Sequence, residues 1–329
     1  MSKEDKSVWL IFFEGIKIYA LNIHKFILYM GFPVLGQVLG LFMIFGLTYW
    51  FSMNYQDLAA KYTVLNDFST MLTLVVLTVV PGLLIWAKAF WDYLVAYGAI
   101  NSMTEGYLNT GKVYDFGAHN ELITKKTFSY ILLWFLFSIF TVLSIIPIFW
   151  VIGAIFFVYF VLIFQVFTFE DGVSPVGCFK RSLELIKGKF SRTFLLMILL
   201  TLFTYYFLTA GLAVIFDSFN ITAFLEKTFE AWAYTLPLEA VERFNITPAI
   251  VATELVKQLV FFIVVGFTLP IRSICWTLWY KNLYVPSSVE VVEKKKKSSK
   301  KASAKTFKIE KRGIDPEIIR RARLEDDEY

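Results

Sequence analysis

The stretch "FEDGVSPVGCFKRSLELIKGKFSRTF", residues 169–194, separates two segments that are almost entirely apolar. Before it lies "IFFVYFVLIFQVFT" (155–168), and after it lies "LLMILLTLFTYYFL" (195–208). At 1.5 Å per residue, an apolar helix of about 20 residues crosses the roughly 30 Å hydrocarbon core of a bilayer. We therefore interpret residues 169–194 as a polar and basic segment that lies at a membrane surface between two spans.

The composition of the whole chain also indicates a membrane protein. Of the 329 residues, 57% are hydrophobic and 18% are charged, and the mean hydropathy is +0.60. A soluble domain has about 45–50% apolar residues and about 25% charged residues. Much of the charge lies after Val285, so the rest of the chain is more apolar than the average. The sequence predicts an all-α, polytopic membrane protein.

Six segments are apolar enough and long enough to be transmembrane helices. Pro81 and Pro270 should kink the second and the sixth, because proline removes a backbone donor from a helix. So few residues separate the third and fourth spans that these two should form an antiparallel hairpin. Residues 1–285 are therefore predicted to form one six-helix transmembrane domain, with spans at about 26–51, 68–87, 127–146, 148–168, 193–216 and 255–280.

A basic amphipathic helix is predicted within residues 169–194. Ser174 and Pro175 are typical of a helix start, and Gly188 is typical of a helix end. Apolar residues recur between them at intervals of three and four, with basic residues on the other face, as in helices that lie in the plane of a membrane surface. The apolar stripe is Val176, Phe179, Leu183, Ile186 and Phe190. The predicted lipid-binding or partner-binding residues are Lys180, Arg181, Lys187, Lys189 and Arg192.

Two further surface helices are predicted. Residues 7–22 carry a stripe at Trp9, Phe12, Ile16 and Tyr19, and they lead into span 1 as the basic helix leads into span 5. This similarity of layout hints at a duplicated half-structure. The segment 221–244 has apolar residues at helical spacing and is predicted to lie on the opposite surface.

The charges of the loops predict the topology, because Lys and Arg concentrate in short cytoplasmic loops. Residues 169–194 carry five basic residues, and residues 285–312 carry nine lysines and one arginine against three glutamates. By contrast, residues 217–254 carry two basic residues and six acidic residues. We expect six spans with both termini in the cytoplasm, in the plasma membrane of a prokaryote. On an alternative interpretation, the basic residues act only as a topology signal.

The C-terminal segment 286–329 is predicted to be a disordered, lysine-rich cytoplasmic tail, because it is of low complexity and lacks apolar periodicity. It should bind anionic membranes or another polyanion. Contact with nucleic acid or a ribosome would rest on the lysines alone, which bind any polyanion.

Five polar or ionisable residues fall inside or beside the predicted spans. Charged groups inside a membrane cost about 2.5–3.5 kcal/mol each on insertion scales, so each is a candidate functional residue. Lys88 and Asp92 are four residues apart on one helix, a spacing that lets them pair. The remaining three are Gln37, Gln165 and Arg272. The two amides are typical of contacts that join helices within a membrane.

Motifs for catalysis or metal binding are missing from the sequence. The two cysteines and two histidines do not form a metal-ligand pattern, and no zinc-protease motif, phosphate loop or nucleophile–base pair is visible. We therefore expect a protein that is not an enzyme and that has no metal or cofactor.

The acidic–glycine turn at 170–172, the helix "FKRSLELIKGKF" (179–190) and the ending "TLWYKNLY" (277–284) suggest a family. In these features the chain resembles the membrane-domain family named after glycerophosphoryl diester phosphodiesterase, over roughly residues 7–285. The resemblance implies a six-helix bundle with surface elbows. It implies no phosphodiesterase activity, because that chemistry belongs to a separate soluble barrel domain in the family. The long lysine tail departs from the family pattern.

Two functions are compatible with these features. The first is a non-enzymatic membrane scaffold or accessory subunit that binds anionic lipid headgroups and protein partners through cytoplasmic surface helices. The alternative is a transporter of a small solute or lipid, with a cavity between the kinked spans 2 and 6. That cavity would be lined by Lys88, Asp92, Gln165 and Arg272.

Overall fold

A computed structural model describes residues 6–113, 116–234 and 246–284. Over these residues the regular structure is entirely helical, which confirms the predicted fold class. The α-helices are α1 (Val8–Leu21), α2 (Ile23–Lys61), α3 (Phe68–Thr110), α4 (Phe116–Thr124), α5 (Thr127–Ile145), α6 (Trp150–Phe160), α7 (Ile163–Phe169), α8 (Pro175–Ile186), α9 (Phe190–Thr201), α10 (Leu208–Ser218), α11 (Ile221–Ala233), α12 (Pro248–Phe267) and α13 (Leu269–Leu283). Short 3₁₀ turns lie at Thr63–Asn66 and Pro147–Phe149, and a π-helical turn lies at Leu202–Phe207.

Within the described residues, six helical segments are long and apolar enough to cross a membrane, so the protein has the architecture of a multi-pass membrane protein. These candidate spans are Ile23–Lys61, Phe68–Thr110, Thr127–Ile145, Pro147–Phe169, Phe190–Ser218 and Pro248–Phe267. The first two helices are much longer than the apolar cores at 26–51 and 68–87 that hydropathy identifies. A helix continues through polar residues when its backbone bonds and neighbours allow it, so hydropathy alone underestimates its length.

The sixth predicted span, 255–280, is divided between two helices. Helix α12 ends at Phe267, and Thr268 has a φ of −91° and a ψ of 0°. Pro270 then occupies the first turn of α13. Proline is tolerated there, because the first backbone N–H groups of a helix have no intrahelical partner. Pro270 therefore lies at a helix start, whereas Pro81 lies inside the continuous helix α3.

The described residues group into two compact units. Counted over the described residues, the first draws on 6–21, 98–113, 116–197 and 271–284, and the second on 22–97, 198–234 and 246–270. In the first unit, aromatic side chains pack α5 against α6 and α7. The rings of Trp134 and Phe164 lie 4.3 Å apart, and those of Phe140 and Phe157 lie 4.9 Å apart, measured between centroids. Aromatic packing of this kind replaces polar contacts in an apolar hairpin.

The second unit depends on close approaches at glycines. A Cβ atom built on Gly40 of α2 would lie 2.7 Å from the carbonyl oxygen of Gly82 in α3. A Cβ on Gly266 of α12 would lie 2.5 Å from a methyl group of Val34 in α2. Small residues at such crossings let helix backbones approach closely, and this is a main source of helix association in membranes. Helices α10, α11 and α12 pack together in the remainder of this unit.

Candidate functional site

Helix α8 begins and ends as its sequence predicts. The side chain of Ser174 accepts a hydrogen bond from the backbone N–H of Gly177 at 3.1 Å, and Pro175 follows at the first helical position. This cap satisfies a donor that the first turn leaves without an intrahelical partner. Gly188, just beyond the helix, has a φ of +79°, a left-handed conformation that glycine adopts without steric strain. The local sequence therefore determines the position of α8 between α7 and α9.

One face of α8 is buried against the first unit. The buried residues are Cys178, Ser182, Leu185 and Ile186. The hydroxyl of Ser182 donates to the carbonyl of Tyr159 at 2.6 Å and accepts from the backbone N–H of Leu162 at 3.3 Å. These two bonds satisfy backbone groups at the junction between α6 and α7. Helix α8 is thus attached to this junction by its small and polar side chains. Of the predicted apolar stripe, Ile186 is buried and Phe179 and Phe190 are half-buried, whereas the other two residues are exposed.

The opposite side of α8 exposes apolar and basic groups next to each other. Val176 is 66% exposed and Leu183 is 37% exposed. Lys180 and Lys187 are exposed on the adjoining face. A stripe of exposed apolar side chains bordered by lysines is the pattern of a helix that lies at a membrane interface, with its apolar residues in the acyl region and its ammonium groups among headgroups.

Arg181, which the sequence grouped with these lysines, has a different role in the structure. Its Nε atom donates to both carboxylate oxygens of Glu170, at 3.1 and 3.0 Å, and its side chain is only 20% exposed. The hydroxyl of Tyr280 donates to the same carboxylate at 3.0 Å. Glu170 thus joins α8 to α13 through two partners. Arg181 anchors the helix and is not a free surface charge.

A second group of contacts reinforces this anchor. The ring of Phe169 stacks on Tyr280 with centroids 5.3 Å apart, and the Nζ atom of Lys281 lies 4.2 Å from the centre of the Phe169 ring. Lys281 also forms an ion pair with Glu105 of α3. Cations over aromatic faces contribute about 0.5–2 kcal/mol. The end of α7 is therefore held firmly in the first unit, directly before α8 begins.

The other two predicted basic residues lie just after α8. Lys189 is half-buried and Arg192 is exposed, and each interacts with other groups. Neither is an isolated surface charge. Lys180 and Lys187 are consequently the residues of the predicted set that best fit contact with headgroups.

The thiol of Cys178 lies in the buried face of α8. Burial, together with the nearby charge of Glu170, raises the pKa of this thiol to about 12. The thiolate is the nucleophilic form of cysteine, and very little of it exists at neutral pH when the pKa is that high. Cys178 is therefore a packing residue.

Gln165 belongs to a buried polar cluster that the sequence did not reveal. The side-chain oxygen of Asn101 in α3 accepts from Gln165 Nε2 at 3.2 Å, from Ser273 Oγ at 2.6 Å and from Thr277 Oγ1 at 3.1 Å. The side-chain nitrogen of Asn101 donates to Thr168 Oγ1 at 3.3 Å. Asn101 therefore links α3 to α7 and α13 inside the first unit. We call these five residues the Asn101 cluster.

The other predicted intramembrane residues lie apart from this cluster. Gln37 is buried in α2, where its Nε2 donates to the carbonyl of Pro33 at 3.0 Å. Lys88 and Asp92 form the predicted ion pair, with Nζ and Oδ1 2.5 Å apart, and the Lys88 side chain is largely exposed. Arg272, in α13, is half-buried and interacts with other groups. Gln165 and Arg272 belong to the first unit, whereas Gln37, Lys88 and Asp92 belong to the second.

The structure also pairs a histidine with a serine. His119 Nδ1 of α4 lies 2.9 Å from Ser102 Oγ of α3, although the two residues are 17 positions apart in the chain. Both side chains are only 3% exposed. The pair therefore joins α4 to α3 in the interior of the first unit. In the three described ranges no group of three or more His, Cys, Asp or Glu residues is placed to hold a metal ion.

Helix α1, the other helix of the first unit that is predicted to lie on the surface, is also partly buried. Its buried face is Val8, Ile11, Phe12, Gly15, Ile18 and Tyr19, and its exposed face includes Trp9, Leu10 and Phe13. The backbone N–H of Lys6 donates to Asn282 Oδ1 of α13 at 3.0 Å. Gly15 lies directly against α13, because a Cβ atom there would be 2.2 Å from the sulfur of Cys275. Both surface helices of this unit are thus attached to α13.

Replacing Gly15 with alanine should destabilise the first unit by about 1–3 kcal/mol, because the added methyl group overlaps the buried sulfur of Cys275. The Cys275→Ala substitution removes that sulfur, and the next nearest atoms of Cys275 are 3.5 Å away. The double variant should therefore recover most of the stability lost in Gly15→Ala, as measured by thermal unfolding in detergent. A double variant no more stable than Gly15→Ala would contradict this contact.

Comparison of the chain with protein-family models, curated proteins and solved structures finds no match. The resemblance to the membrane-domain family remains a prediction from the motifs quoted above.

Proposed function

We propose that the protein is a non-enzymatic scaffold or accessory subunit of a prokaryotic plasma membrane, with both termini in the cytoplasm. It binds anionic lipid and partner proteins through α8 and α1 at the cytoplasmic surface. The observation that supports this proposal best is the exposed side of α8, where Val176 and Leu183 adjoin Lys180 and Lys187. Such a surface matches the chemistry of a bilayer interface that contains anionic headgroups.

The charges decide the preference of α8 for anionic lipid over neutral lipid. Each lysine near an anionic surface contributes about 1 kcal/mol. Lys180 and Lys187 together therefore contribute about 2 kcal/mol, and salt screens this part of the interaction. The exposed apolar side chains add burial energy that is the same for neutral and anionic lipid.

The anchor of α8 supports a role in positioning. Glu170 pairs with Arg181 of α8 and accepts a hydrogen bond from Tyr280, and the hydroxyl of Ser182 donates to the backbone at the junction between α6 and α7. These contacts keep the exposed face of α8 in one orientation relative to the other helices of the first unit. A rigidly held amphipathic helix suits a protein that presents a fixed surface to lipids and partners, because little ordering entropy is lost on binding.

The double variant Lys180→Gln/Lys187→Gln should bind anionic lipid about thirtyfold more weakly than the wild type, because it loses the two ammonium groups nearest the headgroups. The full-length protein is extracted from bilayers that contain phosphatidylglycerol and phosphatidylcholine. The anionic lipid retained per protein is then measured by mass spectrometry at low and at high salt.

The double variant Lys112→Gln/Lys125→Gln is the matched control, because it removes two positive charges from the α3–α4 and α4–α5 connections of the same unit. We expect this control to retain anionic lipid as the wild type does. If both double variants lost the same amount of anionic lipid, the effect would come from net charge and not from α8. No loss in the α8 variant would contradict the proposed role of α8.

A further inference from the structure

A groove between α10, α11 and α12 in the second unit has the properties of a ligand site. Its volume is about 280 Å³, just below the range of about 300–1,000 Å³ for small-molecule pockets, so it would hold only a small ligand. Its apolar wall includes Val256 and Val260, and its polar lining includes Thr209, Glu226 and Thr253. These three polar residues come from α10, α11 and α12 respectively, so the groove receives one such group from each helix.

These polar groups are left without partners among the residues that the structure describes. The hydroxyl oxygen of Thr209 is buried and makes no hydrogen bond. By contrast, Thr204 and Thr104 each donate to the carbonyl four residues earlier, as threonine usually does within a helix. A π-helical turn at Leu202–Phe207 ends two residues before Thr209. Such turns occur frequently at functional sites.

The carboxylate of Glu226 is also unpaired within the described ranges, although its side chain is half-buried in the groove lining. Other charged groups of the lining already have neighbours. Asp217 accepts from the hydroxyl of Thr222, and the Nζ atom of exposed Lys257 lies 3.8 Å from Glu254. A half-buried carboxylate without a partner is unfavourable, and a cation that donates hydrogen bonds would satisfy it.

We propose that this groove binds the primary ammonium group of a small amine, with Glu226 as the counter-ion. The hydroxyl oxygen of Thr253 accepts a second N–H bond, and that of Thr209 accepts a third once its side chain rotates toward the groove. Val256 and Val260 contact the carbon chain. The surroundings are acidic and attract a cation, since the described residues 217–234 and 246–257 carry four acidic and two basic residues. The amine is either free in solution or the headgroup of an ethanolamine lipid, and both have the same ammonium chemistry.

Binding of ethanolamine to the full-length protein in detergent tests this proposal. Calorimetry is performed with ethanolamine and, at matched ionic strength, with choline, which carries a positive charge but has no N–H donor. We expect ethanolamine to bind about tenfold more tightly than choline, because the loss of one hydrogen bond to a charged group lowers affinity by about tenfold or more. The variant Glu226→Gln should weaken ethanolamine binding by about tenfold or more. The matched control Glu230→Gln, on the same helix and outside the groove lining, should not weaken it.

Native mass spectrometry after reconstitution with phosphatidylethanolamine distinguishes the two sources of the ammonium group. Retention of this lipid by the wild type and its loss in Glu226→Gln, without binding of free ethanolamine, assigns the site to the lipid headgroup. The proposal is overturned if the protein binds neither ethanolamine nor phosphatidylethanolamine, or if choline binds as tightly as ethanolamine. It is also overturned if Glu226→Gln binds these ligands as the wild type does. Thermal unfolding of both variants verifies that they are folded. Because the groove lies in the second unit, none of these outcomes bears on α8.

Discussion

Replacing Gly40 with alanine should destabilise the protein by about 3 kcal/mol, at the upper end of the usual range for overpacking. A Cβ atom at this position would lie 2.7 Å from the carbonyl oxygen of Gly82 and 2.7 Å from both the backbone nitrogen and the Cβ of Trp86. Two of these three atoms belong to the backbone of α3, which cannot rotate away as a side chain can. The two helices must separate, and the packing along their whole contact is then lost.

Gly31→Ala is the matched control, because Gly31 lies in the same helix and an added Cβ would have no atom within 4 Å. Alanine favours a helix over glycine by up to about 1 kcal/mol, so this variant should be neutral or slightly more stable. Both variants are compared with the wild type by thermal unfolding in one detergent. Equal unfolding temperatures for Gly40→Ala and Gly31→Ala would show that α2 and α3 do not meet at Gly40.

The close approach at Gly40 is reflected in the spacing of glycines along the sequence, which a hydropathy profile does not take into account. Gly36 and Gly40 are separated by three residues, the G-x-x-x-G spacing of helix contacts in membranes. Gly36 also faces α3, because a Cβ atom there would lie 2.8 Å from that of Ala89. The spacing predicts that some helix packs on this face of α2. It does not indicate which helix, because the partner glycine, Gly82, lies far along the chain in another apolar segment.

The surface helices show what periodicity can and cannot predict. The start of α8 follows from Ser174 and Pro175, whose effects are local, and it agrees with the structure. The face that α8 buries does not follow from its apolar stripe. In a membrane protein the lipid-facing side is apolar too, so an apolar stripe does not distinguish lipid from protein. The buried face of α8 is instead marked by the small residues Cys178 and Ser182.

Polar contacts between residues far apart in the chain could not be predicted from the sequence, for a different reason. Arg181 is paired with Glu170, which lies 11 positions away, and Glu170 is bonded to Tyr280, which lies 110 positions away. Spacing rules apply within one helix and do not relate residues on different helices. The sequence pattern therefore places the charge of Arg181 at the membrane surface, whereas in the structure Arg181 pairs with Glu170 inside the first unit.

The Asn101 cluster is the second place where a single substitution should have a large effect. Interhelical hydrogen bonds in membrane proteins contribute about 0.6 kcal/mol on average and about 1.7 kcal/mol at most. Asn101 makes four of them, to side chains of α7 and α13. Asn101→Ala should therefore destabilise the first unit by about 2–3 kcal/mol. It also leaves the hydroxyl groups of Ser273 and Thr277 buried without this acceptor, which adds to the loss.

A double-mutant cycle with Thr277→Val separates loss of the cluster from loss of packing volume. Valine has nearly the shape of threonine, and the substitution removes the one bond from Thr277 Oγ1 to Asn101. In the wild type we expect this change to be unfavourable by about 0.6–1.7 kcal/mol. In the Asn101→Ala background it should be nearly neutral, because the acceptor is already missing. Thermal unfolding of the four proteins gives the coupling. An equal effect of Thr277→Val in both backgrounds would mean that Asn101 acts through its volume alone, and that α3 and α13 are not joined by this hydrogen bond.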